Sequence, residues 1–195
     1  MRKYIPHKEP IPYMIIKDFF NEEEISLMLR ELQFLIPKMQ YHAPVGMDDT
    51  DDVKRNHQIT LDHVFNKRDY SDILTITDTL YQDNILIDKL IDTSWFYHIW
   101  GYTNKDLTFA SHWVDDDHYK PHRDIAVISI MYWVWEEPKQ FTGGDIRLTD
   151  YDIDIPVERN MMMIMPSSIK HEISTVTGDG RHCIIKFLYL EGRQI

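Results

Sequence analysis

Two residues of the stretch "DHYKPHRDIAV" have the types and spacing of metal ligands. His122 and Asp124 lie two positions apart, where the apolar run "IAVISIMYWVW" begins. On a β-strand, residues with this spacing point to the same face of the sheet. An imidazole and a carboxylate that face an apolar interior need a partner, and a metal ion is one such partner. The pair alone is weak evidence, because 10 histidines and 32 acidic residues produce such spacings by chance.

A third candidate ligand strengthens the case for a metal. His171 follows the apolar run "MMMIMP" and the turn "SSIK", and it opens the next apolar run, "HEISTV". Two histidines and one carboxylate leave coordination positions open, as in non-haem Fe(II) enzymes that bind a co-substrate and O₂ together. A structural zinc site would need a fourth protein ligand, and the chain has 1 cysteine, Cys183. These residues predict an open iron site, with ordinary core or surface histidines as the alternative.

Arg181 is a candidate anion-binding residue. It lies ten positions after His171, beyond the turn "TGDG", at the start of the apolar run "RHCIIKFLYL". A guanidinium there is costly unless it meets an anion, and it can bind a carboxylate with two hydrogen bonds. A two-residue Gly178-Asp179 hairpin would place His171 and Arg181 on opposite faces, whereas an odd-length loop or a bulge would bring them together. A surface arginine, with Lys186 as the anion anchor, stays open as the alternative.

The elements that must position these residues are helical in the first half of the chain and strand-rich in the second. "IPYMII" predicts an extended segment, followed by a helix with Asn21 as N-cap and Pro37 as its end. A second helical stretch is predicted within residues 69–92. Short aromatic and β-branched runs then follow, from "SWFYHIWGY" at 94–102 to "RHCIIKFLYL" at 181–190. The pattern predicts a mainly β fold, in which a closed or sandwiched antiparallel sheet is braced by helices.

The segment at residues 41–56, "YHAPVGMDDTDDVKRN", predicts an acidic surface loop. Its "DDTDD" lacks the glycine and terminal glutamate of an EF-hand, so a solvated loop is favoured over a calcium site. Residues 41–60 are placed to act as a lid over the metal site. Arg55, His57 and Arg123 are candidate substrate contacts, with ordinary surface residues as the alternative. Trp133 and Trp135 are predicted to be core residues.

Composition excludes several classes of protein. The 195 residues suit one domain, and the net charge of −11 argues against a nucleic-acid partner. A single cysteine fits a reducing compartment. The N-terminal stretch is interrupted by charges and prolines, so it does not match a signal peptide, and no run is long enough to span a bilayer. We therefore expect a cytoplasmic protein without a membrane partner, whose oligomeric state is unknown.

Four motifs together resemble those of a known family. "HRD", "MYW", "FTGGDIRL" and "HEISTVTGDGR" follow one another in the order and spacing of the iron(II)- and 2-oxoglutarate-dependent dioxygenases, specifically the prolyl 4-hydroxylase-like group. The resemblance covers residues 109–190, and "IIKDFFNEEEISLML" also looks like the family's N-terminal strand and helix. It implies a double-stranded β-helix (jelly-roll, cupin-like) core at 95–195, braced by the strand and helices of 1–94, in a single dioxygenase domain 1–195.

The resemblance also assigns roles to individual residues. It implies that the iron ligands are His122, Asp124 and His171, that Arg181 binds the far carboxylate of 2-oxoglutarate, and that Tyr132 donates its hydroxyl to the same carboxylate. Gly143 and Gly144 would allow a tight turn before "DIRL". Many members place a cosubstrate-contacting tyrosine nine or ten residues before the first ligand. Here those positions hold Trp113 and His112, and Tyr119 is out of register.

The implied activity couples oxidative decarboxylation of 2-oxoglutarate, giving succinate and CO₂, to hydroxylation of a substrate C–H bond. Fe(II), 2-oxoglutarate and O₂ would be required, with ascorbate as a candidate auxiliary reductant. The leading substrate is a prolyl or other peptide or protein side chain, and a free amino acid or other small metabolite is the alternative. A cupin-like metal enzyme without 2-oxoglutarate and a non-enzymatic binding module also stay open. A nucleic-acid demethylase fits less well, because its second arginine has no match near "LEGRQI".

Overall fold

The computed structural model describes residues 2–41 and 53–191. Most helical residues lie between 22 and 102. The described α-helices are α1 (Glu22–Leu35), α2 (Leu61–Val64), α3 (Asp72–Asp78) and α4 (Asn84–Thr93). Short 3₁₀-helices span Ile36–Lys38, Arg68–Tyr70, Thr79–Gln82 and Trp95–Tyr102.

Strands lie near both ends of the described chain and predominate in its C-terminal half. The described strands are β1 (Lys3–His7), β2 (Tyr13–Lys17), β3 (Gln40–Tyr41), β4 (Lys54–Arg55), β5 (His57–Thr60), β6 (Lys105–Trp113), β7 (His118–His122), β8 (Ile128–Val134), β9 (Phe141–Thr142), β10 (Ile146–Leu148), β11 (Ile153–Ile155), β12 (Met161–Pro166), β13 (His171–Ile173), β14 (Thr177–Gly178) and β15 (Arg181–Tyr189).

Among the described residues, these strands form two facing sheets and one short pair. The larger sheet has the order β1-β2-β12-β8-β15-β6-β5-β3, and the smaller sheet has the order β11-β10-β13-β7-β4. All the pairings are antiparallel. Strand β4 extends the smaller sheet and β5 extends the larger one, so residues 54–60 pass from one sheet to the other. The predicted double-stranded β-helix, a jelly roll braced by N-terminal helices, is confirmed.

The central strands β8 and β12 of the larger sheet are buried on both faces, which explains their almost unbroken apolar sequences. In β12, Met162 and Ile164 contact the layer of helices, whereas Met161, Met163 and Met165 face the smaller sheet. The helices therefore stabilise the larger sheet from behind and leave its other face to line the space between the sheets. That space contains the predicted metal ligands.

The helical predictions hold in part. Asn21 caps α1, and its side chain and that of Glu24 bond each other's backbone N–H in a capping box. The α-helix ends at Leu35, and one 3₁₀ turn carries the chain through Pro37. The second helical stretch is divided into α3 and α4, because Asp83 starts a new helix by capping the N–H of Leu86.

The prediction of a strand at 94–102 is wrong. Trp95–Tyr102 forms a 3₁₀-helix that begins where the Ser94 hydroxyl accepts a hydrogen bond from the Phe96 N–H at 3.2 Å. Tyr97 and Trp100 are buried in the core between helices and sheet, so the aromatic residues that suggested a strand serve helix packing instead. No helix in the described ranges is long and apolar enough to cross a membrane. Residues 42–52, which include "DDTDD" and about half of the predicted lid, lie outside the described residues.

Candidate metal centre

The structure brings His122, Asp124 and His171 together in the space between the sheets. His122 ends β7 and His171 begins β13, and the two residues are direct partners across these antiparallel strands. Asp124 follows β7 by two residues. One candidate ligand atom from each residue lies within 4.8 Å of the others. Among the described residues, this is the group of histidine, cysteine or acidic side chains placed closely enough to hold a metal ion. The geometry is that of two imidazoles and one carboxylate around a common point.

Hydrogen bonds orient both imidazoles. Nδ1 of His122 lies 2.8 Å from the Lys120 carbonyl oxygen, and Nδ1 of His171 lies 2.9 Å from the Ile169 carbonyl oxygen. A carbonyl can only accept, so Nδ1 carries the proton and Nε2 presents a lone pair. These Nε2 atoms lie 3.6 and 3.8 Å from the Asp124 carboxylate oxygens. Burial, followed by the neighbouring His171, lowers the pKa of His122 to about 2. His122 is therefore neutral, as a metal ligand must be.

Two serines hold the carboxylate in place. The Ser129 hydroxyl, on β8, donates to Oδ2 of Asp124 at 2.6 Å and also contacts the Ser167 hydroxyl at 2.8 Å. The backbone N–H of Asp124 donates to the Ser167 carbonyl at 3.1 Å. Ser129 of the larger sheet therefore orients Asp124, a candidate metal ligand that follows strand β7 of the smaller sheet. Neither serine stands out in the sequence, because a buried serine within an apolar strand has no motif of its own.

A cavity opens beside the triad and extends between the two sheets. Apolar and aromatic side chains make up about half of its lining, and polar or charged ones the rest. Its lining residues are Lys54, Asn56, Gln58, Phe109, Trp113, Tyr119, His122, Asp124, Met131, His171, Ile173, Arg181, Cys183, Ile185 and Phe187. Trp133 is fully buried and Trp135 is 4% exposed, and both pack in the core between the sheets, as predicted. The cavity is of the kind that binds a small ligand through a few placed polar groups.

Arg181 lies in the wall of this cavity and is 0% exposed. Its Nε and Nη2 donate to the Gly144 carbonyl at 3.0 and 2.6 Å. Its remaining nitrogen, Nη1, is buried without a hydrogen-bond partner among the described residues. Burial lowers the pKa of Arg181 to about 10, so the guanidinium stays charged at neutral pH. A buried cation with an unused donor in a cavity wall matches an anionic ligand.

Arg181 and His171 do not lie on paired strands of one hairpin, contrary to the expectation from the sequence. His171 belongs to the smaller sheet, where β13 pairs with β7 and β10, whereas Arg181 belongs to the larger sheet, where β15 pairs with β6 and β8. The two residues face each other from opposite walls. Lys186, the alternative anchor, points to the other side of β15 and pairs with Asp78 and Asp106.

Gly143 and Gly144 form the predicted turn, and Gly144 also contacts Arg181. Both have positive φ, 70° and 72°, as the predicted turn requires. A Cβ atom at Gly144 would lie 2.3 Å from Nε and 2.4 Å from Cδ of Arg181. The glycine therefore supplies both the carbonyl that orients the guanidinium and the space in which it lies.

The prediction that Tyr132 contacts the cosubstrate is wrong. Its neighbours in β8, Met131 and Trp133, face the smaller sheet, so Tyr132 points the other way, into the layer of helices. Its side chain is fully buried there, with the hydroxyl 3.5 Å from the Thr77 carbonyl oxygen. Strand alternation thus places Tyr132 on the face of the sheet opposite the cavity.

The two residues at the family's tyrosine positions point in opposite directions. Trp113 lines the cavity, with the guanidinium carbon of Arg181 4.7 Å from its ring centroid. His112 lies on the other face of the sheet. Tyr119 also lines the cavity and stacks on His122, with ring centroids 3.3 Å apart. An indole therefore stands in the cavity wall at one of the two positions where the resemblance led us to expect a tyrosine.

The candidate substrate contacts lie outside the cavity wall. Arg55 pairs with Asp116, and Arg123 pairs with Asp150 at 2.7 Å. His57 is on the strand face opposite the cavity. None of the three side chains belongs to the described set that lines the cavity. Arg123 nevertheless lies between two triad residues in the chain and is half exposed.

Comparison with known proteins finds similarity at the level of structure. No family model matches the chain, and no curated protein sequence is significantly similar. Three similar solved structures are a viral collagen prolyl hydroxylase, a bacterial prolyl-4-hydroxylase and a prolyl hydroxylase from an animal.

The viral enzyme, from Paramecium Bursaria Chlorella virus-1 in complex with 2OG, is 11% identical with a TM-score of 0.58, over 90% of this chain and 94% of that chain. The Pseudomonas putida enzyme is 10% identical with a TM-score of 0.67, over 92% and 94%. The Trichoplax adhaerens enzyme, in complex with a hypoxia inducible factor peptide fragment, is 10% identical with a TM-score of 0.67, over 91% and 83%. The fold implied by the sequence motifs is confirmed.

Proposed function

We propose that this chain is a non-haem Fe(II) dioxygenase that couples oxidative decarboxylation of 2-oxoglutarate to hydroxylation of a substrate C–H bond. The observation that carries the proposal is the pairing of an open triad with a buried, incompletely paired arginine in one cavity. His122, Asp124 and His171 suit Fe(II), since they offer two neutral imidazoles and one carboxylate. Arg181 suits a carboxylate, because its Nη1 has an unused donor. The donor set thus fits both the metal and the cosubstrate.

The protein's own residues would orient the metal ligands, bind the cosubstrate and exclude water from the site. The two histidines are held by backbone carbonyls and the aspartate by Ser129, so the ligand atoms need little rearrangement to coordinate a metal. Arg181 would hold the far carboxylate of the cosubstrate, with Trp113 packed against the guanidinium. Bound Fe(II), with 2-oxoglutarate and O₂, would supply the oxidising chemistry for the C–H bond, giving succinate and CO₂.

Apolar side chains would keep water from the reacting centre. Phe109, Met131, Ile185 and Phe187 line the cavity from the larger sheet. Exclusion of water strengthens the electrostatic attraction between Arg181 and a carboxylate and limits side reactions of the oxidant. The apolar wall therefore has a functional as well as a packing role.

The proposed substrate is a prolyl or other peptide side chain. The support is the similarity to prolyl hydroxylases and, among them, the Trichoplax adhaerens enzyme whose structure contains a peptide fragment. A free amino acid or small metabolite is the alternative. Blocked proline-containing peptides and free amino acids should be compared for substrate-dependent succinate formation. Turnover confined to free amino acids would contradict a peptide substrate without affecting the proposed cofactors.

The first experiment is an anaerobic titration of metal-free protein with Fe(II) and then 2-oxoglutarate. We expect a visible iron-to-cosubstrate charge-transfer band in the wild type, no band in His171→Ala, and a normal band in His98→Ala. His98 is an exposed histidine outside the cavity, so this variant controls for loss of an imidazole in general. Iron binding without a band would favour a cupin-like enzyme with another co-substrate. Absence of iron binding would refute the proposal.

A further inference from the structure

Asn56 is a buried polar residue that the triad and Arg181 do not explain. It is the one residue between β4 and β5, at the point where the chain passes from the smaller sheet to the larger. Its side chain lines the cavity and is 0% exposed. Neither its Nδ2 nor its Oδ1 has a hydrogen-bond partner among the described residues. Burying a carboxamide without partners is costly, so such a group indicates a ligand that the cavity is built to bind.

Strand register places Asn56 in line with Arg181. His57 pairs with His112 in adjacent antiparallel strands, so the preceding residue, Asn56, lies beside Trp113. Trp113 pairs in turn with Arg181 on its other side. Asn56 extends the line of β5 by one residue, so it lies in a row with Trp113 of β6 and Arg181 of β15, and all three line the cavity. The row lies at the end of the cavity that Arg181 marks as anion-binding.

The row presents two buried donors with no acceptor among the described residues, Nδ2 of Asn56 and Nη1 of Arg181. They flank the indole of Trp113, whose own Nε1 already donates to the Ser111 hydroxyl at 2.9 Å. A carboxylate has two oxygens that only accept, so it complements one donor on each side of the indole. A neutral carbonyl could accept both hydrogen bonds, but it would leave the buried charge of Arg181 uncompensated.

We propose that Asn56 is a cosubstrate-binding residue whose carboxamide N–H donates to the distal carboxylate of 2-oxoglutarate, beside the Arg181 guanidinium. This inference rests on the proposed function. It gives Asn56 the hydrogen bond that the sequence motif had assigned to Tyr132. It also explains why residues 54–60 cross between the sheets at this point, since the crossing brings a polar side chain to the anion-binding end of the cavity.

The test compares two 2-oxo acids that differ only at the distal end. 2-Oxovalerate keeps the keto acid of 2-oxoglutarate but ends in a methyl group. Binding of each to full-length protein loaded with Mn(II), in place of the oxidisable Fe(II), is measured by calorimetry. Asn56→Ala should raise the Kd for 2-oxoglutarate about tenfold or more, as expected for loss of a hydrogen bond to a charged group. It should leave the Kd for 2-oxovalerate within about twofold.

His57→Ala is the matched control, because His57 is the next residue but its side chain lies on the strand face opposite the cavity. We expect its 2-oxoglutarate affinity to stay within about threefold of wild type. An unchanged 2-oxoglutarate Kd in Asn56→Ala, or an equal loss for both oxo acids, would overturn the assignment. Absence of 2-oxoglutarate binding in the wild type would instead overturn the proposed function, and this inference with it.

A second readout separates binding from folding. Asn56→Leu keeps the number and branching of the side-chain heavy atoms but removes the unpaired carboxamide, and the adjoining cavity has room for the slightly larger methyl groups, so the ligand-free variant should have a Tm equal to or above that of wild type. The rise in Tm caused by 2-oxoglutarate should be smaller than in wild type. A lower Tm in the ligand-free variant would show that Asn56 has a structural role and would refute its assignment to the cosubstrate.

Discussion

Replacing Gly144 with alanine should weaken cosubstrate binding without touching a residue that contacts the cosubstrate. The new Cβ would lie 2.3 Å from Nε and 2.4 Å from Cδ of Arg181, well inside van der Waals contact. Both Arg181 hydrogen bonds to the Gly144 carbonyl, at 3.0 and 2.6 Å, hold the guanidinium in that space. The arginine must therefore move, and its alignment with a bound carboxylate is lost.

The magnitude follows from the contacts that are broken. A hydrogen bond to a charged group is worth about 1.5–3 kcal/mol, and about 1.4 kcal/mol changes Kd tenfold. If displacement of Arg181 removes one such bond to the ligand, the Kd for 2-oxoglutarate rises about 10- to 100-fold. The φ of 72° adds a backbone cost of about 1–2 kcal/mol to folding, because a side chain is disfavoured in this region.

Gly180→Ala separates these two effects. Gly180 also has positive φ, 84°, but a Cβ there meets nothing within 4 Å. Both variants should lose about 1–2 kcal/mol of stability in urea unfolding from the shared backbone cost, and Gly144→Ala should lose more because it also displaces Arg181. Only Gly144→Ala should show the large rise in 2-oxoglutarate Kd, measured by calorimetry on the Mn(II)-loaded protein. A folded Gly144→Ala protein with wild-type affinity would refute the role assigned to this glycine and weaken that of Arg181.

Three further changes have definite expected outcomes. Ser129→Ala removes the hydroxyl that donates to Asp124, and metal affinity, measured by equilibrium dialysis, should fall about 10- to 100-fold; unchanged affinity would mean that packing alone orients the carboxylate. Tyr132→Phe should leave 2-oxoglutarate affinity unchanged, since the hydroxyl lies among the helices; a large loss would contradict its placement. Burial lowers the pKa of His182 to about 3, whereas the unfolded residue titrates near 6.5, so below about pH 6.5 only the unfolded chain binds this proton. Stability should therefore fall as pH drops from about 6.5 towards 3, by up to about 1.4 kcal/mol per pH unit from this group. Urea titrations across that range should show a shallower fall in His182→Gln, and identical slopes would contradict the assignment.

The triad could be predicted from the sequence because its ligands lie in local motifs. His122 and Asp124 share a short segment, and the apolar run before His171 identifies it as the opening of another strand. Their convergence needed only the expectation of an antiparallel sheet. The cap at Asn21 was equally local, since a capping box involves residues three apart. Features that depend on a few neighbouring residues could therefore be predicted correctly from the sequence.

Tyr132 shows why other features could not be predicted. All of β8 is buried, so no alternation of polar and apolar residues reveals which side chains face the cavity. Tyr132 points towards the layer of helices behind the sheet, and the sequence "MYW" gives no indication of which face that layer covers. The 3₁₀-helix at Trp95–Tyr102 was missed for a related reason, because aromatic residues that favour strands also suit helix packing. Asn56 and Gly144 gain their significance only from strands distant in sequence.

The unpaired donors of Arg181 and Asn56 connect stability to function. Both groups are buried without a full set of hydrogen-bond partners among the described residues, and burying a polar group away from partners is unfavourable for folding. The same groups cost nothing further when an anion binds, because their desolvation has already occurred during folding. The surrounding sheet holds them in position, so little conformational entropy is lost on binding. On the proposed function, donors that the folded cavity already holds in place would bind a carboxylate with little further ordering, and the bound anion would in turn stabilise the folded state.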